Sequence, residues 1–501
     1  MKPIYALIRY DLLMQARERG TWLLLAASLL LAGYGLFEGT RFESNAEAAR
    51  NGAVQHERTA QRSAQELAAR YFAHPEAPEF AGLLWYRTPV DIRGYAFREH
   101  VGYAVKPAIP GAALAIGQAD LLPGYVRVRG ESMESVRTAA EIEHPARLAA
   151  GRYDLMFFII YLWPLILLSL CVSVLTQERE SGRLRTLQLQ GLTPLRLLLA
   201  QVGGRVATAT VLLILSCTGM ALAIGAVPAS AAGAGALASW SFVVLAYSAF
   251  WAAVALAICA LCGNRMNAAF GALGAWLVFT VVLPGVLSTV MQLGAPMPNR
   301  EYYVQAMRDA GDAVAADKLN SLARFYDSHP EWRPARTSLE KVSTSVSRIQ
   351  RAQELEQAMQ GVEKTFEDAR LRRDTLFERA MVFSPVTLAY EAFSHVAGND
   401  QQRQQRFIAE VQQHQANLRG YFQYMIQTAA LADEQSACAK TCAQGYGFSD
   451  FAGVPRFTPS SALAQPPQVP SEFGVILAWI AALGGLAWLI LRHLDRHGIM
   501  M

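Results

Sequence analysis

The run Ala238–Cys262 reads ASWSFVVLAYSAFWAAVALAICALC and contains no Asp, Glu, Lys or Arg. A helix needs about 20 mostly apolar residues to cross the hydrocarbon core of a bilayer, since each residue adds about 1.5 Å to its length. A run of this length and composition therefore predicts a transmembrane helix. Five further runs share the property: Thr21–Phe37, Leu155–Thr176, Val206–Val227, Met266–Leu293 and Phe473–Leu491.

The composition of the whole chain indicates a membrane protein with large water-exposed segments. Hydrophobic residues make up 52% of the 501 residues and charged residues 17%, whereas an average soluble chain is about 25% charged. The mean hydropathy of +0.18 is too high for a soluble enzyme and too low for a chain that lies wholly in lipid. Six Cys argue against a disulfide-dense scaffold, and a net charge of +4 argues against nucleic acid as a partner.

The charges between the apolar runs predict the orientation. The segments 1–20, 177–205, 263–265 and 492–501 hold 12 Lys and Arg but only five Asp and Glu, and short basic segments stay in the cytoplasm. We therefore predict an all-α polytopic protein of the bacterial cytoplasmic (inner) membrane, with both termini cytoplasmic. Its predicted parts are an interfacial helix (1–20), TM1 (21–37), an outer loop domain (38–154), TM2 (155–176), a cytoplasmic loop (177–205), TM3 to TM5 (206–293), an outer helical domain (294–472), TM6 (473–491) and a tail (492–501).

The two long outer loops carry different patterns. The first begins with a helical pattern over Ala46–Phe72 and continues with strand-like runs over Tyr86–Val128, which predicts mixed α/β structure. In the second, apolar residues recur about every 3.5 positions over Val346–Phe366, and a second helical run covers Phe407–Met425 beyond a break at Gly398. Two long helices joined by a turn predict a helical hairpin, which either packs on itself or binds a partner.

Two cysteines of the second outer loop are candidates for a disulfide. Cys438 and Cys442 are separated by three residues, and an oxidising compartment outside the cytoplasmic membrane favours their pairing. A metal-binding pair is the rival interpretation, although no His lies near them in sequence.

The cytoplasmic loop after the second apolar run contains a short amphipathic pattern. Gly182 can end the helix that leaves the membrane, because glycine tolerates backbone conformations that other residues avoid. Thr193-Pro194 is a typical helix start, with Thr as the cap and Pro in the first turn. Three leucines between these points form an apolar face among charged residues: Leu184, Leu187 and Leu189. This segment either lies on lipid or docks a soluble partner.

Residues for nucleotide, metal or hydrolytic chemistry are missing from the sequence. None of the six Lys follows a Gly, as the phosphate-binding loop of an ATPase requires. The nine His form no metal-ligand pattern, and the apolar runs carry no ionisable group of the kind that ion-coupled carriers use. We therefore predict no catalytic, cofactor-binding or metal-binding residue, and any energy must come from a separate subunit.

Several segments together resemble one family. The run Glu178–Gly182 (ERESG) is similar to the cytoplasmic signature of type 2 ABC export (ABC-2 type) permeases. The segments 143–154 (EHPARLAAGRYD), 115–123 (AIGQADLLP) and 383–385 (FSP) resemble a branch of that superfamily with large outer loops after spans one and five. One departure is Arg183, which stands where the family pattern has Thr.

The resemblance implies a permease subunit that pairs with a second copy or a sister permease and with a cytoplasmic ABC ATPase dimer, which binds ATP and Mg²⁺. It implies a coupling helix at about Ser181–Gln190 and an interfacial helix beside it. The expected function is export or extraction of an apolar or amphipathic substrate; the alternative is a mechanotransmission complex that acts on an envelope partner without transport. The residues expected to couple to the ATPase are Glu178, Arg179, Glu180, Ser181, Gly182, Leu184 and Leu187.

Overall fold

The computed structural model of the chain describes residues 2–82, 84, 88–119, 122–130, 152–172, 174–180, 182–189, 192–332, 344–435, 446–465 and 472–496. The described part is largely helical and contains one two-stranded sheet. In chain order the main elements are α1 (Lys2–Arg17), α2 (Arg19–Ala73), β1 (Gly102–Val105), β2 (Tyr125–Val128), α3 (Leu155–Glu180), α4 (Arg183–Leu189), α5 (Pro194–Ala223), α6 (Ala231–Leu261), α7 (Arg265–Gly294), α8 (Arg300–Ala316), α9 (Lys318–Ser328), α10 (Thr344–Ala380), α11 (Pro385–Val396), α12 (Gln401–Gln435) and α13 (Glu472–Arg496).

Five of the described helices are long and apolar enough to cross a membrane, namely α2, α3, α5, α6 and α7. The chain is therefore a membrane protein of several helices. The apolar part of α13, Gly474–Ile490, is shorter than the other five, so the sixth predicted span stays a prediction.

The helix starts follow from local sequence. The Thr193 hydroxyl accepts a hydrogen bond from the Arg196 backbone N–H, and Pro194 occupies the first turn of α5, which confirms the start predicted there. Ser230 caps α6 and Asn264 caps α7 in the same way. Each cap satisfies a backbone donor that the first helical turn leaves without a partner.

The first predicted span and the helix predicted after it form one continuous helix. α2 has 55 residues and is therefore about 80 Å long, far more than the roughly 30 Å of a hydrocarbon core. The predicted boundary between residues 37 and 38 is no break in structure, because the stretch that joins the two runs contains no proline. Gly39 of this helix lies against the Ala113 carbonyl, where a Cβ would come within 2.1 Å of the oxygen.

The packed centre of the apolar helices is built around α6. Its large aromatic side chains Trp240, Tyr247, Phe250 and Trp251 are fully buried, and they lie in one apolar cluster with residues of α3, α5, α11 and α13. The Tyr247 hydroxyl donates to the Ile160 carbonyl of α3 at 2.9 Å. Aromatic burial of this kind dominates the packing energy of a helix bundle.

The part of the chain that is predicted to lie outside the membrane has a second apolar core. β1 and β2 pair antiparallel with Gly102 opposite Val128, so strands do occur in the region predicted to be mixed α/β. Their inward residues share a cluster with Phe407 and Phe422 of α12 and with Phe325 of α9.

The predicted hairpin differs from the structure in its connection. α10 and α12 run antiparallel, since the Gln401 and Gln405 amides donate to Asp374 and Arg419 pairs with Glu356. Between them the structure inserts the 12-residue helix α11 ahead of the predicted break at Gly398. The helix forms here because Ser384 caps it and Pro385 occupies its first turn. Its apolar residues pack into the apolar cluster around α6, which is called the membrane-helix cluster below.

A set of polar contacts at the start of α3 connects α3, the loop around Ile116 and the end of α11. The Asp154 carboxylate accepts hydrogen bonds from the backbone N–H groups of Phe157 at 2.7 Å and of Ile116 at 2.8 Å. The Asn399 amide, just after α11, donates to the Ala115 carbonyl at 2.7 Å. The loop around Ile116 therefore ties the start of α3 to the end of α11.

The predicted orientation can be tested with cysteine labelling. We expect Lys364→Cys in α10 to react with a membrane-impermeant maleimide in intact cells, because this exposed residue lies in the predicted outer domain. Thr186→Cys in α4, also exposed, should react only after the membrane is permeabilised. The native chain without either substitution is the control, and labelling in the reverse order would contradict the orientation.

Candidate functional site

The site predicted from the resemblance lies where α3 ends and α4 begins. Gly182 reverses the chain there with a φ of +68°, a conformation that other L-residues rarely adopt. No atom lies within 4 Å of the position that a Cβ would occupy. The need for glycine is therefore conformational and does not come from crowding.

α4 is a short helix with an inward and an outward leucine. Leu184 is 3% exposed and packs in the membrane-helix cluster, whereas Leu189 is 84% exposed. Five residues of helix turn the chain by about 500°, which places the two side chains on nearly opposite faces. α4 is thus held to the protein by one face and offers an apolar residue on the other.

Three charged contacts tie the end of α3 to its surroundings. Arg183 pairs with Glu178 across the turn at 3.1 Å, and Glu180 pairs with Arg265 at the start of α7 at 3.0 Å. The Arg179 guanidinium donates to the Gly263 carbonyl at 3.4 Å. Because Glu180 and Arg265 are about half exposed, that pair contributes roughly 0–1 kcal/mol. These contacts therefore fix the position of the end of α3 relative to α4 and α7 but add little to the stability of the fold.

The departure at position 183 has a structural role. The family pattern has Thr where this chain has Arg183, and this Arg pairs with Glu178. The extra positive charge is therefore partly neutralised inside the turn. Two of the predicted coupling positions, Ser181 and the side chain of Leu187, lie outside the described residues.

Sequence reasoning missed two contributions to this region. The α6–α7 connection supplies Gly263 and Arg265, whose role depends on a contact 80 or more residues away in sequence. The second contribution is a buried ion pair between α1 and α5. Asp11, 5% exposed, accepts from the Nε and Nη2 of Arg205 at 2.9 and 2.7 Å.

The ion pair has further support. The Arg205 Nη1 donates to the Leu170 carbonyl of α3 at 2.6 Å, and the Gln15 amide donates to Asp11 at 3.1 Å. α1 is therefore fastened to both α5 and α3 and is more than a helix resting on lipid. The available sequence signal was the position of Arg205, which directly precedes an uncharged apolar run.

The described residues hold no group of three or more His, Cys, Asp or Glu that could bind a metal. Cys438 and Cys442 lie outside the described residues, so their disulfide stays a prediction. The described cysteines, Cys171, Cys217, Cys259 and Cys262, are free thiols.

Comparison with known proteins gives one match. Residues 300–437 match a family described as Domain of unknown function (DUF3526). This stretch runs from α8 to the end of α12, and it includes neither α4 nor the apolar helices α2 to α7. No curated protein and no solved structure matches the chain.

Proposed function

We propose that this chain is the permease subunit of an ABC transporter that exports or extracts an apolar or amphipathic substrate with ATP hydrolysed by a separate cytoplasmic ATPase. The observation that carries the proposal is α4, a short helix that buries Leu184 against the apolar helices and exposes Leu189 on nearly the opposite face. If both leucines were buried, α4 would have no exposed apolar side chain for a partner to bind. If both were exposed, α4 would not be packed against the rest of the chain.

The contacts around α4 supply a path for the stroke of an ATPase. A force on Leu189 acts on α3 through the Gly182 turn and through the Arg183–Glu178 pair. It also acts on α7 through Glu180 and Arg265. The energy has to be supplied in trans, because the sequence lacks the phosphate-binding motif of an ATPase.

Purification of the tagged full-length chain from its native membrane tests the proposal. We expect an ATPase with a Walker A motif to co-purify and to be identified by mass spectrometry. ATP hydrolysis by that ATPase should rise when the chain is added back in lipid nanodiscs. The control is an unrelated polytopic protein with the same tag. Failure to recover any ATPase, even after chemical cross-linking, would contradict the proposal.

A second candidate function, force transmission to an envelope partner without transport, is favoured by α2. This helix is continuous over 55 residues from the apolar bundle to the outer domain, and a continuous helix transmits displacement along its axis. Insertion of Gly-Ser-Gly-Gly after Ser44 separates the two functions. If the chain transmits force, the insertion should abolish whatever phenotype requires this chain in the cell, while stimulation of the ATPase persists. If that phenotype is retained, the result argues for transport.

A further inference from the structure

The end of α10 and the turn Met381–Phe383 run alongside the apolar helices rather than above them. The side chain of Leu376 lies against Gly294, the last residue of α7. Farther along, the Trp479 indole of α13 donates to the Val382 carbonyl at 2.9 Å. Trp479 is the eighth residue of α13 and so lies about 10 Å from the start of that helix. The chain therefore descends beside α7 and α13 before α11 begins.

Apolar side chains on this descending segment face outward. Phe383 is 70% exposed, and Leu293 at the end of α7 is 80% exposed. Large exposed apolar side chains beside apolar helices are suited to contact with acyl chains, which do not penalise their exposure.

Two arginines lie in the last three turns of α10. Arg372 and Arg379 are exposed and flank Leu376 at spacings of four and three residues, so the three share one face of α10. Within the described residues neither arginine makes an ion pair. Of the acidic neighbours, Asp374 accepts hydrogen bonds from two glutamines, and Glu378 is exposed to solvent.

We propose that Arg372, Arg379 and Phe383 form a binding surface for an anionic phospholipid of the outer leaflet. The guanidinium groups bind the headgroup phosphate, which matches their planar donor geometry, and Phe383 lies among the acyl chains. The positive charge of Arg372 and Arg379 favours a lipid over a second copy of this chain. A second copy that packed with this same face would bring two further arginines and would be repelled.

Native mass spectrometry of the full-length protein in detergent, with added dioleoylphosphatidylglycerol, tests the proposal. We expect Arg372→Gln/Arg379→Gln to lower the affinity for this lipid about tenfold or more, since each arginine at a membrane surface is worth about 1 kcal/mol. Phe383→Ser should weaken binding as well. The charge-matched control Arg58→Gln/Arg351→Gln alters two exposed arginines away from this surface and should bind as the native protein does.

Dioleoylphosphatidylcholine also carries a phosphate, but its choline cation opposes the arginines. The native protein should therefore bind it more weakly than phosphatidylglycerol, and Arg372→Gln/Arg379→Gln should lower its affinity less. Equal phosphatidylglycerol affinity in the native protein and that variant would overturn the proposal. Displacement of the lipid by inorganic phosphate would overturn it in favour of a free-phosphate site. A change of oligomeric state with no change in lipid binding would overturn it in favour of an interface between copies.

Discussion

Replacing Asp11 by Ala is expected to lower the free energy of unfolding by about 3–5 kcal/mol, because it leaves the Arg205 guanidinium buried without its counter-ion. The loss is large because both side chains are shielded, with 6% of Asp11 and 15% of Arg205 exposed. Two hydrogen bonds from Arg205 and one from Gln15 would be lost together. The Leu170 carbonyl would be the one acceptor still bound by Arg205 in the described structure.

The unfolding can be followed with the protein's own thiols. Cys171, Cys217 and Cys259 are buried and should react with a fluorogenic maleimide only as the bundle opens on heating. Asp11→Ala should react at a clearly lower temperature than the native protein. The control Glu18→Ala removes an exposed acid close by in sequence and should change stability by no more than about 0.5 kcal/mol.

A double variant separates the ion pair from the packing around it. In Asp11→Leu/Arg205→Met both charges are absent, so no unpaired charge is buried, and such replacements are often neutral. We expect this variant to be more stable than Asp11→Ala. A double variant that unfolds at the same temperature as the single one would show that the charge is not the cause.

If the chain pairs with an ATPase as proposed, replacing Leu189 by Asp is expected to abolish that association while the protein still folds and inserts. Leu189 is 84% exposed and makes little contact within its own chain. Burying a leucine in a partner's groove is worth about 1.5–3 kcal/mol, which corresponds to a roughly 10- to 150-fold change in affinity before the added cost of a buried carboxylate.

The matched control is Leu189→Met, which keeps an apolar side chain of similar volume and should retain binding. Binding is measured by pull-down of the ATPase at equal membrane levels of each variant, together with the stimulated rate of ATP hydrolysis. Equal binding and equal rates for Leu189→Asp and the native chain would leave α4 as a surface helix without a partner. The cooperative unfolding temperature of Leu189→Asp should stay at the native value.

The predicted elements that the structure reproduces depend on local physical chemistry. A run such as Ala238–Cys262 forms a long apolar helix because its backbone hydrogen bonds close within the segment, whatever surrounds it. The same holds for the cap at Thr193 and for the chain reversal at Gly182, where one residue type suits one backbone conformation. The segment after Gly182 does form the short helix α4, but its leucines do not share one apolar face, since Leu184 is buried and Leu189 is exposed on nearly the opposite side.

The differences between prediction and structure concern connections between segments. The helical hairpin was predicted to close through a simple turn, but α11 lies between its arms and packs on α6 and α13. The boundary after Phe37 was drawn where the apolar residues end and stays a prediction. Helix α2 continues through it, because hydropathy indicates the surrounding solvent and not the backbone conformation. The burial of Asp11 likewise depends on a contact between helices, its pair with Arg205, and not on the pattern of its own helix.

The sequence by itself determined the membrane character, the helix start at Thr193-Pro194, and the segment that carries the candidate coupling helix. Each of these follows from residues within one or two turns of each other. Only the tertiary structure decided that Leu184 points inward and Leu189 outward, that Arg265 reaches Glu180, and that Arg205 is neutralised by Asp11. These facts depend on contacts between helices far apart in the chain, and packing selects such contacts only when all the helices are in place.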